Sequence, residues 1–145
     1  MSIREELLEV RDYTKRGYSP VVDYAAWRVA ILNYADELRC EKLAAMQRHN
    51  ETDEVFVLLR GRCILFLGEG LETVKEIYAE DMRPLQVYNV KKAVWHTHTL
   101  NEDAMVLIVE NRDTTFDNSP FCQLSATLRR TIVELSAGFW KDSAG

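Results

Sequence analysis

The sequence predicts an all-β domain, a barrel or a sandwich, with one helix at each end. Short segments rich in aliphatic and aromatic residues follow one another through the middle of the chain, and polar turns separate them. This pattern is typical of consecutive antiparallel strands. At both ends the apolar residues take helical spacing instead. No repeat or linker divides the 145 residues, so they are expected to form one domain.

The N-terminal segment predicts a helix over residues 3–16. Ile3, Leu7 and Val10 lie at helical spacing, Tyr13 lies at the edge of the same stripe, and the positions between them are mostly charged. Gly17 is expected to end this helix.

The strands are expected between residues 24 and 111. Each predicted strand ends at a glycine or at a cluster of polar residues. The predicted strands are residues 27–34, 42–49, 55–60, 63–67, 73–78, 85–90, 94–100 and 104–110.

The C-terminal segment predicts a second helix over residues 120–140. Ser119 and Pro120 suit an N-cap and a first turn. The apolar residues at helical spacing are Leu124, Leu128, Ile132, Leu135 and Phe139. Both helices are expected to cover an open face or a strand edge of the β core, because a bare edge invites aggregation.

Composition excludes several classes of protein. A net charge of −5 disfavours nucleic acid as a partner. No run of about 18 apolar residues exists that could span a membrane, and residues 1–6 lack the features of a signal peptide. The three cysteines are widely spaced and odd in number, which indicates reduced thiols and a cytoplasmic location.

The candidate chemistry lies in the histidines, of which the chain has three. His96 and His98 are two apart on one predicted strand, so both point to the same face. His49 ends an earlier strand, and Glu54 follows it after a short turn. Two imidazoles and one carboxylate suit iron, manganese, nickel or zinc. The alternative is that these histidines are ordinary packing or surface residues.

Residues 47–61 resemble the first cupin motif, a His-x-His pair followed at set spacing by Glu and Gly. His49, Glu54 and Gly61 match it, and Gln47 stands where the family usually has its first histidine. Residues 94–97 resemble the second motif, which would supply His96.

This resemblance implies a cupin β-barrel, that is, a double-stranded β-helix or jelly roll. It also implies a divalent metal ion, Fe, Mn, Ni or Zn, held by His49, Glu54 and His96. Gln47 would be a weak fourth ligand, because an amide oxygen carries no charge. Cupins commonly pair through strand edges, so a homodimer is expected.

Two further residues are candidates for binding a ligand. If the strand over residues 55–60 has no bulge, Phe56 and Arg60 share the face of Glu54. Arg60 would then receive an anionic substrate, and Arg28 or Arg48 would do so otherwise. For each arginine the alternative is a surface salt bridge.

Three functions remain open. The first is a metal-dependent isomerase, lyase or dioxygenase on a carboxylate or sugar, with His98 as candidate acid or base. The second is a small-molecule-binding cupin without catalysis, and the third is a structural cupin without metal. The fold does not choose among them.

Overall fold

The computed structural model describes residues 2–141, which form ten strands and one α-helix. Two 3-10 turns, Asp36–Leu38 and Cys40–Lys42, connect β2 to β3. The helix, α1, is Ala126–Lys141. The strands are β1 (Gly17–Tyr24), β2 (Trp27–Asn33), β3 (Ala45–Gln47), β4 (Glu54–Arg60), β5 (Cys63–Glu69), β6 (Glu76–Asp81), β7 (Tyr88–Val90), β8 (Trp95–Leu100), β9 (Met105–Asn111) and β10 (Phe121–Gln123).

The strands form two antiparallel five-stranded sheets. The first sheet has the order β1-β2-β9-β4-β7, and the second has the order β10-β3-β8-β5-β6. The predicted all-β core is therefore confirmed. The closed barrel is wrong, because within residues 2–141 the edge strands of one sheet form no ladder with those of the other.

The hydrophobic core has two parts, one on each side of the second sheet. Between the sheets, Phe56 and Leu58 of β4 lie in one cluster with Leu65 of β5. On the outer face, Ile64 and Phe66 of β5 cluster with apolar residues of α1. Since α1 covers this face, β5 is buried on both sides, which explains its unbroken apolar run.

The predicted N-terminal helix over residues 3–16 is wrong. Only one hydrogen-bonded turn forms, where the amides of Leu7 and Leu8 donate to the carbonyl of Arg4. Ile3 and Val10 are 63 % and 77 % exposed, so no surface covers the apolar stripe. A short amphipathic helix is marginal without such packing. The sequence pattern also did not predict β1, which pairs with β2 from Gly17 onward.

The predicted C-terminal helix exists but begins later than residue 120. Residues 121–123 form β10 instead, which pairs with β3. Ser119 is not a helix cap. That position is taken by Ser125, whose Oγ accepts the amide proton of Leu128 at 3.2 Å.

Other features of the described chain bear on the predicted environment. Cys40, Cys63 and Cys122 are free thiols. In residues 2–141 no helix is both long and apolar enough to cross a bilayer. The cytoplasmic location and the homodimer stay predictions.

Gly61 is expected to tolerate no side chain. It follows β4 with a φ of +73°, and a Cβ there would lie 2.6 Å from the backbone nitrogen of Ala104. We expect Gly61→Ala to lower the free energy of unfolding by about 2 kcal/mol, measured by urea denaturation. The control is Gly138→Ala in α1, where a Cβ meets nothing within 4 Å. This change should stabilise the protein by about 0.5–1 kcal/mol, and equal effects at both sites would contradict the argument.

Candidate metal centre

Three buried side chains predicted from the sequence meet at one point in the structure. His49 Nε2 lies 3.1 Å from Glu54 Oε2. His96 Nε2 lies 3.0 Å from the other carboxylate oxygen, Glu54 Oε1. The three residues are 5–8 % exposed, and their ligand atoms all lie within 4.8 Å of one another. This His-Glu-His triad could hold a metal ion.

Each member of the triad comes from a different part of the fold. Glu54 is the first residue of β4 in the first sheet, and His96 lies on β8 in the second sheet. His49 lies on the connection from β3 to β4, where its carbonyl accepts the amide proton of Ala93 at 2.8 Å. The triad therefore joins the two sheets across the space between them.

The Nδ1 atom of His96 carries a proton. It lies 3.0 Å from the carbonyl oxygen of Val94, which is only an acceptor. Nδ1–H must therefore donate to it, and in the neutral ring the lone pair is on Nε2, which faces Glu54.

The Nδ1 atom of His49 also carries a proton, as the hydrogen bonds of Ser119 and Asn118 show. Ser119 Oγ lies 2.7 Å from it. The hydroxyl of Ser119 donates to Oδ1 of Asn118 at 3.0 Å, and the orientation of that amide is fixed because its Nδ2 donates to two other acceptors. Ser119 Oγ therefore accepts from His49, and the lone pair of the neutral ring is again on Nε2.

Two imidazole lone pairs and a carboxylate thus face each other inside the protein. Such an arrangement is repulsive unless protons or a metal ion lie between the groups. A backbone carbonyl or a hydroxyl bound to Nδ1 is also the usual way in which a metal-binding histidine is oriented. Two atoms that bind one ion at about 2.1 Å lie at most about 4.2 Å apart. Both Nε2–carboxylate distances are below this limit and all the ligand atoms lie within 4.8 Å of one another, so the residues fit a metal ion once the side chains draw slightly closer.

The electrostatics agree with a demand for positive charge at this point. Burial alone would raise the pKa of Glu54, but its contacts with both imidazoles hold that pKa well below its usual range. Burial lowers the pKa of His49, but the carboxylates of Glu54 and Glu110 outweigh it and raise that pKa above its ordinary value.

The triad lies on the wall of a cavity of about 640 Å³. Gln47 and His98, both predicted site residues, also line it. The side-chain Nε2 of Gln47 donates to the carbonyl of Ser119 at 3.0 Å. A small molecule that enters this cavity would reach the triad directly.

His98 is a neutral imidazole in this cavity. Burial, followed by the neighbouring His96, lowers its pKa to about 4. Its Nδ1 atom has no hydrogen-bond partner within residues 2–141. Phe56 is fully buried behind the histidines, with its ring centroid 6.0 Å from His96 and 5.9 Å from His98.

The structure does not bring Arg60 to the triad. The ladder between β4 and β9 shifts register between Leu58 and Arg60, so the alternation that would have carried Arg60 inward is broken. Its guanidinium is on the surface and donates to the carbonyl of Asp103 at 3.2 Å. The arginine that lines the cavity is Arg28.

Sequence reasoning missed two important groups beside the triad. Glu110 is 6 % exposed, and its Oε2 lies 3.9 Å from His49 Nε2. Alternation could have found it, because Val106, Ile108 and Glu110 share the inner face of β9. Ser119 gave no such signal, because its contact with His49 joins segments 70 residues apart.

Several solved structures have a similar backbone fold. A cupin-2 domain protein from Shewanella frigidimarina is 16 % identical with a TM-score of 0.51, over 68 % of this chain and 85 % of that one. The nucleoside dehydratase Pac13 is 11 % identical with a TM-score of 0.52, over 79 % of this chain and 85 % of that one. KdgF from Halomonas is 13 % identical with a TM-score of 0.50, over 77 % of this chain and 93 % of that one. The chain has a cupin-like fold.

These similarities concern the backbone alone. No protein-family profile and no curated protein matches this sequence. The cupin-like fold is therefore established from the structure, whereas the site must be argued from its own geometry.

Arg28 is expected to hold Glu110 in the core. Its Nη2 lies 2.7 Å from Glu110 Oε1, and the two side chains are only 18 % and 3 % exposed. We expect Arg28→Met to lower the free energy of unfolding by about 3 kcal/mol in EDTA, because it leaves a buried carboxylate unpaired. The measurement is urea denaturation.

The matched control is Arg16→Met, which breaks an ion pair with Asp36 whose side chains are 66 % and 60 % exposed. It should change stability by less than about 0.5 kcal/mol. Adding Glu110→Gln to Arg28→Met should restore most of the loss. A double variant as unstable as Arg28→Met would show that Arg28 acts through packing instead.

Proposed function

We propose that this protein is a metal-dependent enzyme that acts on a small carboxylate or sugar, as an isomerase or a lyase. His49, Glu54 and His96 would hold a divalent ion, Fe, Mn, Ni or Zn. The observation that carries the proposal is the convergence of two Nε2 lone pairs on one buried carboxylate at the wall of a cavity.

The position of the triad supports catalysis over a purely structural metal. Structural sites are closed by protein ligands, whereas catalytic sites keep a coordination position open. Here the ligands line a cavity of about 640 Å³, which is the size of ordinary small-molecule sites. A bound ion would act as a Lewis acid on an oxygen atom of the ligand.

The walls of the cavity support a ligand with one polar and one apolar end. Arg28 is already paired with Glu110, so an anionic group would be received at the triad and not by a free guanidinium. At the mouth, the rings of Phe116 and Phe121 lie 5.9 Å apart, and both are exposed. They offer an apolar surface for the remainder of the molecule.

His98 supports a reaction in which a proton moves. It lines the same cavity as the triad, and its Nδ1 atom has no hydrogen-bond partner within residues 2–141. In this proposal His98 is the acid or base that exchanges a proton with the ligand, a step that isomerases and lyases both require. Its lowered pKa suits proton donation better than proton abstraction. The solved neighbour Pac13, from Streptomyces, is described as a nucleoside dehydratase, and one of its structures holds uridine. This neighbour supports lyase chemistry on a small molecule as compatible with this fold.

Metal content tests the site. Purified protein is expected to contain about one divalent ion per chain by elemental analysis, and His96→Ala should contain almost none. The matched control is His98→Ala, which removes the neighbouring imidazole on the same strand and should keep its metal. A His96→Ala protein with full occupancy would reject this set of ligands.

Catalysis is tested on the metal-loaded protein. A panel of small hydroxy acids, keto acids and sugars is incubated with the protein and followed by NMR, with dissolved oxygen monitored in parallel. We expect conversion without oxygen uptake, and a loss of about 100-fold or more in His98→Asn at unchanged metal content. Uptake of oxygen would indicate a dioxygenase, and binding without conversion would indicate a non-catalytic module; either result contradicts the proposed reaction.

A further inference from the structure

One carboxylate oxygen of Glu110 accepts no hydrogen bond from a donor among the described residues, and the Glu110 carboxyl group lies within hydrogen-bond reach of the Glu54 carboxylate. Glu110 Oε2 is buried and accepts no hydrogen bond from any residue in the described range 2–141. It lies 3.9 Å from Nε2 of His49. A buried carboxylate oxygen without a donor is costly, so native structures seldom leave one unless water or an ion fills the gap.

The orientation of this carboxylate is fixed by its other oxygen. Arg28 donates to Oε1 from both Nε at 3.1 Å and Nη2 at 2.7 Å. Tyr18 donates its hydroxyl proton to the same oxygen at 2.7 Å. Arginine usually spreads two such bonds over both oxygens of a carboxylate. Here all three donors bind Oε1, and Oε2 is left facing His49.

We propose that Glu110 is the fourth protein ligand of the metal ion, in the position that Gln47 was predicted to fill. The proposal rests on the metal site put forward under the proposed function. The distance of 3.9 Å between Glu110 Oε2 and His49 Nε2 is within the roughly 4.2 Å that two ligands of one ion can span. Glu110 is outside the group of ligand atoms that already lie within 4.8 Å of one another, so its carboxylate would have to move towards Glu54 and His96 for one ion to bind all four side chains.

Gln47 is the weaker candidate on chemical grounds. Its amide is neutral, and its Nε2 is engaged with the carbonyl of Ser119. An ionised carboxylate is a stronger ligand for a divalent cation than an amide oxygen. The donor set of two imidazoles and two carboxylates then suits Mn or Fe, which take up to six ligands and so keep positions open for a small molecule, better than four-coordinate Zn or a soft ion such as Cu(I).

The charges of the metal-binding residues also indicate which charge the bound small molecule should carry. The carboxylates of Glu54 and Glu110 balance a divalent ion, and Arg28 adds one positive charge to the same cluster. The loaded site is therefore left with one positive charge in a largely apolar cavity. A monoanion such as a single carboxylate would neutralise it, whereas a dianion would overcompensate.

Cobalt titration of the metal-free protein tests the role of Glu110. Cobalt(II) reports its ligands through its visible absorption, and competition with a chelator gives its Kd, so no substrate is needed. We expect Glu110→Gln to weaken cobalt binding by at least about 10-fold and to change the spectrum. Gln47→Ala should weaken it less than about 3-fold with the spectrum unchanged.

The matched control is Glu37→Gln, which alters an exposed carboxylate on the same cavity wall and should leave both the Kd and the spectrum unchanged. Glu110→Asp retains the charge but shortens the reach. It serves as a second variant if Glu110→Gln does not fold, and it should also lose at least about 10-fold in affinity.

The outcomes distinguish a failure of Glu110 as a ligand from a failure of the proposed metal site itself. If Glu110→Gln binds cobalt like the unaltered protein while His96→Ala does not, Glu110 is not a ligand and the triad stands alone. If Gln47→Ala loses more affinity than Glu110→Gln, the fourth ligand is Gln47 and the inference is overturned. If the unaltered protein binds no cobalt, or His96→Ala binds it fully, the metal site itself fails and this inference fails with it.

Discussion

The interaction on which the site depends is the contact of one buried carboxylate with two imidazoles. Glu54 faces Nε2 of His49 and Nε2 of His96, while the Nδ1 atom of each ring is occupied by an acceptor on its far side. Because Nδ1 holds the proton of each neutral ring, the Nε2 atoms are left to bind a cation. Two groups keep the rings in this orientation: Ser119, on the loop before β10, and the backbone carbonyl of Val94.

The same contact links the halves of the fold. Glu54 begins a strand of the first sheet, and His96 lies within the second. His49 lies on the connection that passes from one sheet to the other. Among residues 2–141 no ladder joins the edges of the two sheets, and the triad adds a polar contact to the apolar packing between them. An ion bound here would therefore stabilise the packing of the sheets as well as form a site, which couples metal binding to folding.

The sequence predicted what depends on local pattern and missed what depends on tertiary contacts. The apolar pattern placed His96 and His98 on one strand, and the short turn allowed His49 and Glu54 to lie side by side, although only the resemblance to the first cupin motif implied that they converge. Helical spacing at residues 3–16 was misleading, because a short amphipathic segment forms a stable helix only where its apolar side packs against another part of the protein. Arg60 failed for a different reason, a register shift within β4. The role of Ser119 arises from a segment distant in the chain, and no local pattern could have indicated it.

The network around Glu110 is difficult to explain as a device for stability. Arg28 and Glu110 are a largely buried ion pair, and removing such charges from water costs about as much as their attraction returns. Burial and a hydrogen bond with the Glu54 carboxyl group raise the pKa of Glu110 to about 7. Apolar residues of the same size would fill this space at lower cost. The network does provide orientation, since three donors on Oε1 fix the direction of Oε2. A cation between Glu110 and the triad would neutralise two buried carboxylates, and the network already fixes the orientation of Glu110, so the cluster is better explained by what it binds than by what it stabilises.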